Sequence, residues 1–225
     1  KKVCRNKNWD KFSPKRQICF STLFVSNGPI QVDNVDNTDA GSESLEILSK
    51  NVMQNNYRQD RPPWGSGAAW DAANRSLDFL IQRNRMTLDP TVILAQEIQT
   101  RMVSIFSLLD DLCRVTCPWC PDPCCLAARV WIDFKDLLFL HLIRHPAPPE
   151  QLLSDFKESC RYWSPKGCTL PRISRPWVCT WHLCPTQKVN LRRKVPSVQE
   201  KFRQAVQRIT AGRKAMENEF IRIVS

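Results

Sequence analysis

Nine of the eleven cysteines lie between Cys113 and Cys184. They form two batches: Cys113, Cys117, Cys120, Cys124 and Cys125, then Cys160, Cys168, Cys179 and Cys184. Thiols at this density do sulfur chemistry, as disulfides or as metal ligands. Dense disulfides belong to short secreted chains that cannot build a core. This chain has 225 residues, 42% of them hydrophobic, and an odd number of cysteines. Cys117-Pro118-Trp119-Cys120 is a C-x2-C turn, which aims both sulfurs at one centre, as zinc and iron–sulfur sites require. Cys124 and Cys125 are adjacent, so their side chains diverge, which points to two centres or one larger cluster. The spacing therefore favours metal, with disulfides as the alternative. Thiols kept free for metal imply a reducing, cytoplasmic setting.

The run Cys117-x2-Cys120-x3-Cys124-Cys125, followed by Cys160, Gly167-Cys168-Thr169-Leu170 and Arg175-Pro176-Trp177-Val178-Cys179-x4-Cys184, resembles the YkgJ-type cysteine-cluster family. That family is described as zinc- or iron-chelating. Its hallmark is C-x2-C-x2-C-C with a downstream R-P-x2-C-x4-C segment. The cysteine module of bacterial flagellin lysine methylases is similar and is thought to carry an iron–sulfur cluster. The resemblance covers residues 113–185. Pro121-Asp122-Pro123 gives this chain three residues where the family usually has two. With the spacing, the resemblance implies Cys117, Cys120, Cys124, Cys125, Cys160, Cys168, Cys179 and Cys184 as ligands of a 4Fe-4S cluster, or of Zn2+ as the alternative. Cys113 and His182 stand in second rank.

An enzyme is the competing reading. Cys113-x3-Cys117-x2-Cys120, with Trp119 before the last cysteine, fits the pattern by which radical S-adenosylmethionine enzymes hold a cluster. Methyl transfer follows by analogy with the flagellin methylases. Against both, the residues before Cys113 read as helix, and no glycine-rich cofactor segment follows. A binding module with a structural or redox-sensing centre is the favoured expectation.

Composition supplies a partner class. Lys and Arg total 33 against 22 acidic residues, a net charge of +11. Ten basic and three acidic residues fall in 188–225, so +7 of that charge is C-terminal. A basic surface around Arg192, Arg193 and Lys194 suits nucleic acid or an acidic protein. No run of 18 apolar residues occurs, so no membrane span is expected. The oligomeric state is not encoded in any of these features.

The elements that must position the cysteines are helical. Residues 33–41 fail the calcium-loop register and read as a polar turn. Residues 21–32 suggest a short strand or an extended arm. Helices are expected over 42–56, 67–83, 89–112, 126–145 and 150–162. A last helix is expected to start from a capping box at Ser197 and Glu200 and to bury Val198, Phe202, Ile209, Met216, Phe220 and Ile223. Asp89-Pro90 marks a helix start. Trp163, Trp177 and Trp181 are expected to keep water from the second cysteine batch. The prediction is a mainly α protein: an arm and helical lobe (1–112), an embedded loop-rich cysteine module (113–187) and a basic amphipathic C-terminal helix (188–225).

Overall fold

The computed structural model describes residues 62–225. The expected features over 21–32, 33–41 and 42–56, together with Cys4 and Cys19, lie outside the described residues. Within them the protein is mainly α, with seven α-helices and one two-stranded hairpin.

The first helix, α1 (Gly67–Arg83), begins where Ser66 Oγ accepts the Ala69 amide at 3.3 Å. Such a cap satisfies one of the orphan donors of the first turn. Trp70, Ala73 and Leu77 repeat at helical spacing and are buried. α2 (Asp89–Thr116) starts at Asp89-Pro90 and runs four residues beyond the expected end at Leu112. Its buried stripe is Ala95, Ile98, Met102, Ile105, Leu109 and Leu112. α7 (Pro196–Val224) answers with Phe202, Ile209, Met216 and Phe220. Among the described residues these two long helices make the largest contact. Each fully buried aliphatic side chain contributes ~1.5–3 kcal/mol, so the α2–α7 seam is a large source of stability. By length and composition alone, Asp89–Trp119 could cross a membrane, with a mean hydropathy of 1.2. In the structure its apolar stripe faces α7.

Three expectations need correction. The helix over 126–145 is broken into α3 (Cys124–Ala127), an extended piece, and α4 (Phe134–Leu142). α4 starts at a capping box: Asp133 Oδ1 accepts the Asp136 amide at 2.8 Å, and Asp136 Oδ2 accepts the Asp133 amide at 3.2 Å. The helix over 150–162 does not form. Gln151, 1% exposed, holds the chain open instead. Its Oε1 accepts the Ile132 amide (2.8 Å) and the Leu152 amide (3.0 Å), while Nε2 donates to the Ile132 and Pro63 carbonyls. Asp155 and Glu158 bond to nearby backbone amides of the same segment, an alternative to helical pairing. The Ser197–Glu200 box is also absent: the N-cap is Val195, two residues earlier, α7 starts at Pro196, and Glu200 pairs with Arg203.

Gly65 lies against this open segment. A Cβ there would sit 2.8 Å from the Ser154 carbonyl oxygen, closer than packing allows. Beyond it, β1 (Trp163–Ser164) pairs antiparallel with β2 (Gly167–Cys168), with Trp163 opposite Cys168. Gly167 takes φ +111°, which side-chain-bearing residues rarely adopt. α5 (Trp177–Trp181) and α6 (Pro185–Arg192) then carry the chain back to α7.

One polar cluster locks these parts together. Asp136 Oδ1 accepts from the Trp177 amide (2.9 Å) and from Arg213 Nη2 (2.6 Å). Arg213 Nη2 also reaches Asp133 Oδ1 at 3.5 Å, and Lys135 bridges Asp133 and Glu217. α4, the start of α5 and α7 thus share one buried charge network. Burial and the Asp133 charge push Asp136 up to about 7 against the pull of Arg213. Asp133 is held below its ordinary value: Arg213 and Lys135 outweigh the larger opposing effect of burial.

Candidate metal centre

The cysteines come from four kinds of support. The last turn of α2 presents Cys113, and a 3-10 turn, Cys117–Trp119, follows directly. The C-x2-C turn closes through the Cys120 amide, which donates to the Cys117 carbonyl at 3.2 Å. α3 carries Cys124 and Cys125. The hairpin places Cys160 just before β1 and Cys168 in β2, while α5 holds Cys179. Cys184 caps α6: its Sγ accepts the Gln187 amide at 3.5 Å, and Gln187 Oε1 accepts the Cys184 amide at 3.2 Å.

All nine of these cysteines are free thiols. The two batches meet at Gln187, which is 5% exposed. Its Nε2 lies 3.5 Å from Cys113 Sγ, 3.7 Å from Cys117 Sγ and 3.3 Å from Thr116 Oγ1. One side chain therefore touches sulfurs from the first batch while its own backbone touches Cys184. Arg172 adds a second buried donor. It reaches Cys113 Sγ at 3.6 Å through Nη2 and bonds Asp110 Oδ1 at 2.7 Å through Nε.

These donors leave a clear electrostatic pattern. The neighbouring Cys117 thiol and then, against the effect of burial, Arg172 bring Cys113 down to about 5. Cys113 in turn pushes Cys117 well above the ordinary thiol range, and burial adds to this. Cys124 and Cys125 form a second pair, in which the bond to Cys125 and then burial push Cys124 up. Cys160 is raised by burial and by Cys168. Cys179 has an exposed edge, yet the protein crowding its sulfur raises it strongly, followed by the charges of Cys168, Cys160, Asp136 and Cys124. Cys124 is felt by Cys117 on one side and by Cys179 on the other.

The sulfurs are gathered as near pairs rather than as a closed cage. Among the described residues, no three His, Cys, Asp or Glu side chains stand close enough to share one ion. The donor set itself suits soft or borderline metals: thiols in excess, with N–H groups aimed at sulfur. Cys113, expected in second rank, sits at the meeting point. Cys120 points elsewhere, its Sγ donating to the Asp122 carbonyl at 3.3 Å. His182 packs edge-on to Trp181 at 6.3 Å, and burial, aided by Lys188, lowers its pKa.

The tryptophan shell is partial. Trp177 is buried and donates to Thr210 of α7, Trp163 and Trp181 are half-buried, and Cys124 and Cys179 remain exposed. Arg175 bonds the Leu170 and Cys168 carbonyls, fixing the loop after β2. Cys113 follows a helix, and the described residues hold no alternating strand–helix repeat, so the setting of a radical-enzyme cluster motif is not reproduced there. Gln187, Arg172, Gln151 and Arg213 were not singled out from sequence for these contacts. Only the Cys184-x2-Gln187 spacing, a capping box with sulfur as acceptor, offered a signal.

At the α6–α7 junction Arg192, Arg193 and Lys194 are all exposed. Arg213, counted with the basic segment, is instead buried in the Asp133–Asp136 network.

Comparison with protein-family models, curated proteins and solved structures finds no match to this chain.

Proposed function

We propose that the protein is a metal-binding module that holds an iron–sulfur cluster, or zinc as the alternative, through its cysteines in a structural or redox-sensing role. The observation that carries this reading is the convergence at Gln187. Sulfurs more than sixty residues apart in sequence meet around one buried glutamine, whose side-chain amide lies against Cys113 and Cys117 and whose backbone amide lies against Cys184, with a guanidinium beside Cys113. Buried donors without a carbonyl or carboxylate to receive them are costly. Here sulfur is the acceptor, and N–H groups around metal-bound thiolates tune ligand charge and potential. In this reading Cys113, Cys117 and Cys184 would close into one set on binding metal, and Cys160, Cys168 and Cys179 into a second, since no three of them share a site as they stand. Cys124 and Cys125 lie between the sets, and Cys120 joins by rotation of an exposed turn. Membership of the YkgJ-type family and a cytoplasmic location belong to the same proposal. So does a nucleic-acid or acidic-protein partner at Arg192, Arg193 and Lys194.

The test is anaerobic purification followed by elemental analysis, acid-labile sulfide determination and visible spectroscopy. Iron with sulfide and visible charge-transfer absorption assigns a cluster. Zinc without colour assigns the alternative. A protein that takes up neither metal on reconstitution, and whose thiols all react freely in the native state, overturns the reading.

A further inference from the structure

The last turns of α1, the first turn of α2 and the C-terminal end of α4 enclose a groove of about 880 Å³, the size of a small-molecule site. None of its lining residues is a cysteine. His141 forms part of the wall. Its Nδ1 lies 2.6 Å from Asp78 Oδ1 and its Nε2 2.9 Å from Asn74 Oδ1. Asn74 Nδ2 donates to the Trp70 carbonyl at 2.8 Å, which fixes the amide so that its oxygen faces the ring. Both ring nitrogens therefore meet oxygens, and one oxygen of the exposed Asp78 carboxylate is engaged by the ring. Asp89, the other acid in the lining, stands in the first turn of α2, where the helix dipole favours negative charge.

Against these two acids the lining sets Arg85 and Arg144. Both are exposed, and no described residue forms an ion pair with either guanidinium. Arg144 adopts φ +54°. It is the residue after the C-cap of α4 in a Schellman turn: the Arg144 amide donates to the His141 carbonyl (3.1 Å) and the His145 amide to the Leu140 carbonyl (2.9 Å). Glycine is the usual occupant because it takes this conformation without penalty. A strained arginine beside a cavity points to use of its side chain.

We propose that this groove binds a small organic anion, a carboxylate or phosphate on an apolar body. The head group is gripped by Arg144 and Arg85, whose planar forks match either anion. The body lies on Ile81, Leu88, Val92 and Leu142, which supply the apolar wall. The site is independent of the sulfur chemistry and survives if that reading fails.

Calorimetric titration of the full chain with octanoate, octyl phosphate and the neutral octanamide tests it. At least one anion binds, and octanamide binds at least about tenfold more weakly, ~1.4 kcal/mol. Arg144→Gly melts at a higher temperature than the parent, because the strain is gone, yet loses at least about tenfold in anion affinity. Arg85→Gln weakens binding with Tm unchanged. The anion that binds tells carboxylate from phosphate. Equal binding of octanamide, full affinity in Arg144→Gly, a lowered Tm in that variant, or no binding by any of the three probes overturns the proposal.

Discussion

The α2–α7 seam and the cysteine module are held together in different ways. The seam is apolar and periodic: Ile98, Met102, Ile105 and Leu109 face Phe202, Ile209, Met216 and Phe220 in long helices. The module is made of short turns whose backbone is tied down by single polar side chains. Gln151 spans the open segment, Gln187 joins the two cysteine batches, and Asp136 anchors the start of α5. Apolar burial is divided among many residues, so one loss is absorbed. A polar tie carries several bonds at once, so its removal strands several partners together. The scaffold rests on many apolar contacts, whereas the module is held by few polar groups.

The sharpest way to break this contrast is at the joint between the two. Arg213→Met leaves Asp133 and Asp136 buried without their guanidinium and should cost ~3–5 kcal/mol, read as a drop in chemical-denaturation midpoint. A loss below about 1 kcal/mol would mean that the network does not anchor α7. Next comes Gln151→Leu, similar in size but unable to bond. It strands the Ile132 amide and carbonyl and should cost ~2–3 kcal/mol. Hydrogen exchange should rise over 150–162 and stay unchanged in α2. Equal acceleration in both regions would erase the distinction between them.

A pH series sharpens the same comparison. Asp136 is raised to about 7 from an ordinary value of 3.8. Between those values the folded state holds a proton that the unfolded state releases, so stability falls as pH rises through that window. The slope is at most ~1.4 kcal/mol per pH unit. Asp133 is shifted the other way, and its contribution is lost below the ordinary carboxylate range. The Asp136 share of stability should therefore decline from about pH 5 to about pH 7.5 against the opposite trend added by the lowered Cys113 thiol, so Asp136→Asn should make the slope of Tm against pH more positive than the parent's. An unchanged slope in the variant would place the titrating group elsewhere. The smallest effect on stability belongs to the surface. Replacing Arg192, Arg193 and Lys194 with Gln should leave Tm unchanged while lowering the salt dependence of polyanion binding by ~2–3 units of slope. If the salt dependence is the same, those charges are only solvated.

The scaffold was legible in the sequence to the extent that it is periodic. α1 spans the expected Gly67–Arg83, and the buried stripe of α7 includes the expected Phe202, Ile209, Met216 and Phe220. The module was less legible, for a physical reason. A buried glutamine or arginine has the same letter as an exposed one, so Gln151, Arg172 and Arg213 gave no sign of their partners, and Gln187 gave only its capping distance from Cys184. The break inside 126–145 did leave a trace, since Asp133 and Asp136 are spaced as a capping pair, but the apolar run around them masked it. The failure over 150–162 left less, because what prevents that helix lies at Ile132 and Pro63, distant in sequence.

α6 begins on a sulfur atom. A serine or aspartate in that place would offer an oxygen whose affinity for the first-turn amides changes little with the chemical state of the cell. Cys184 offers an acceptor that an oxidant, an alkylating agent or a soft ion can claim. The firmness of the eight-residue helix leading to Arg192 is therefore subject to whatever takes hold of that thiol.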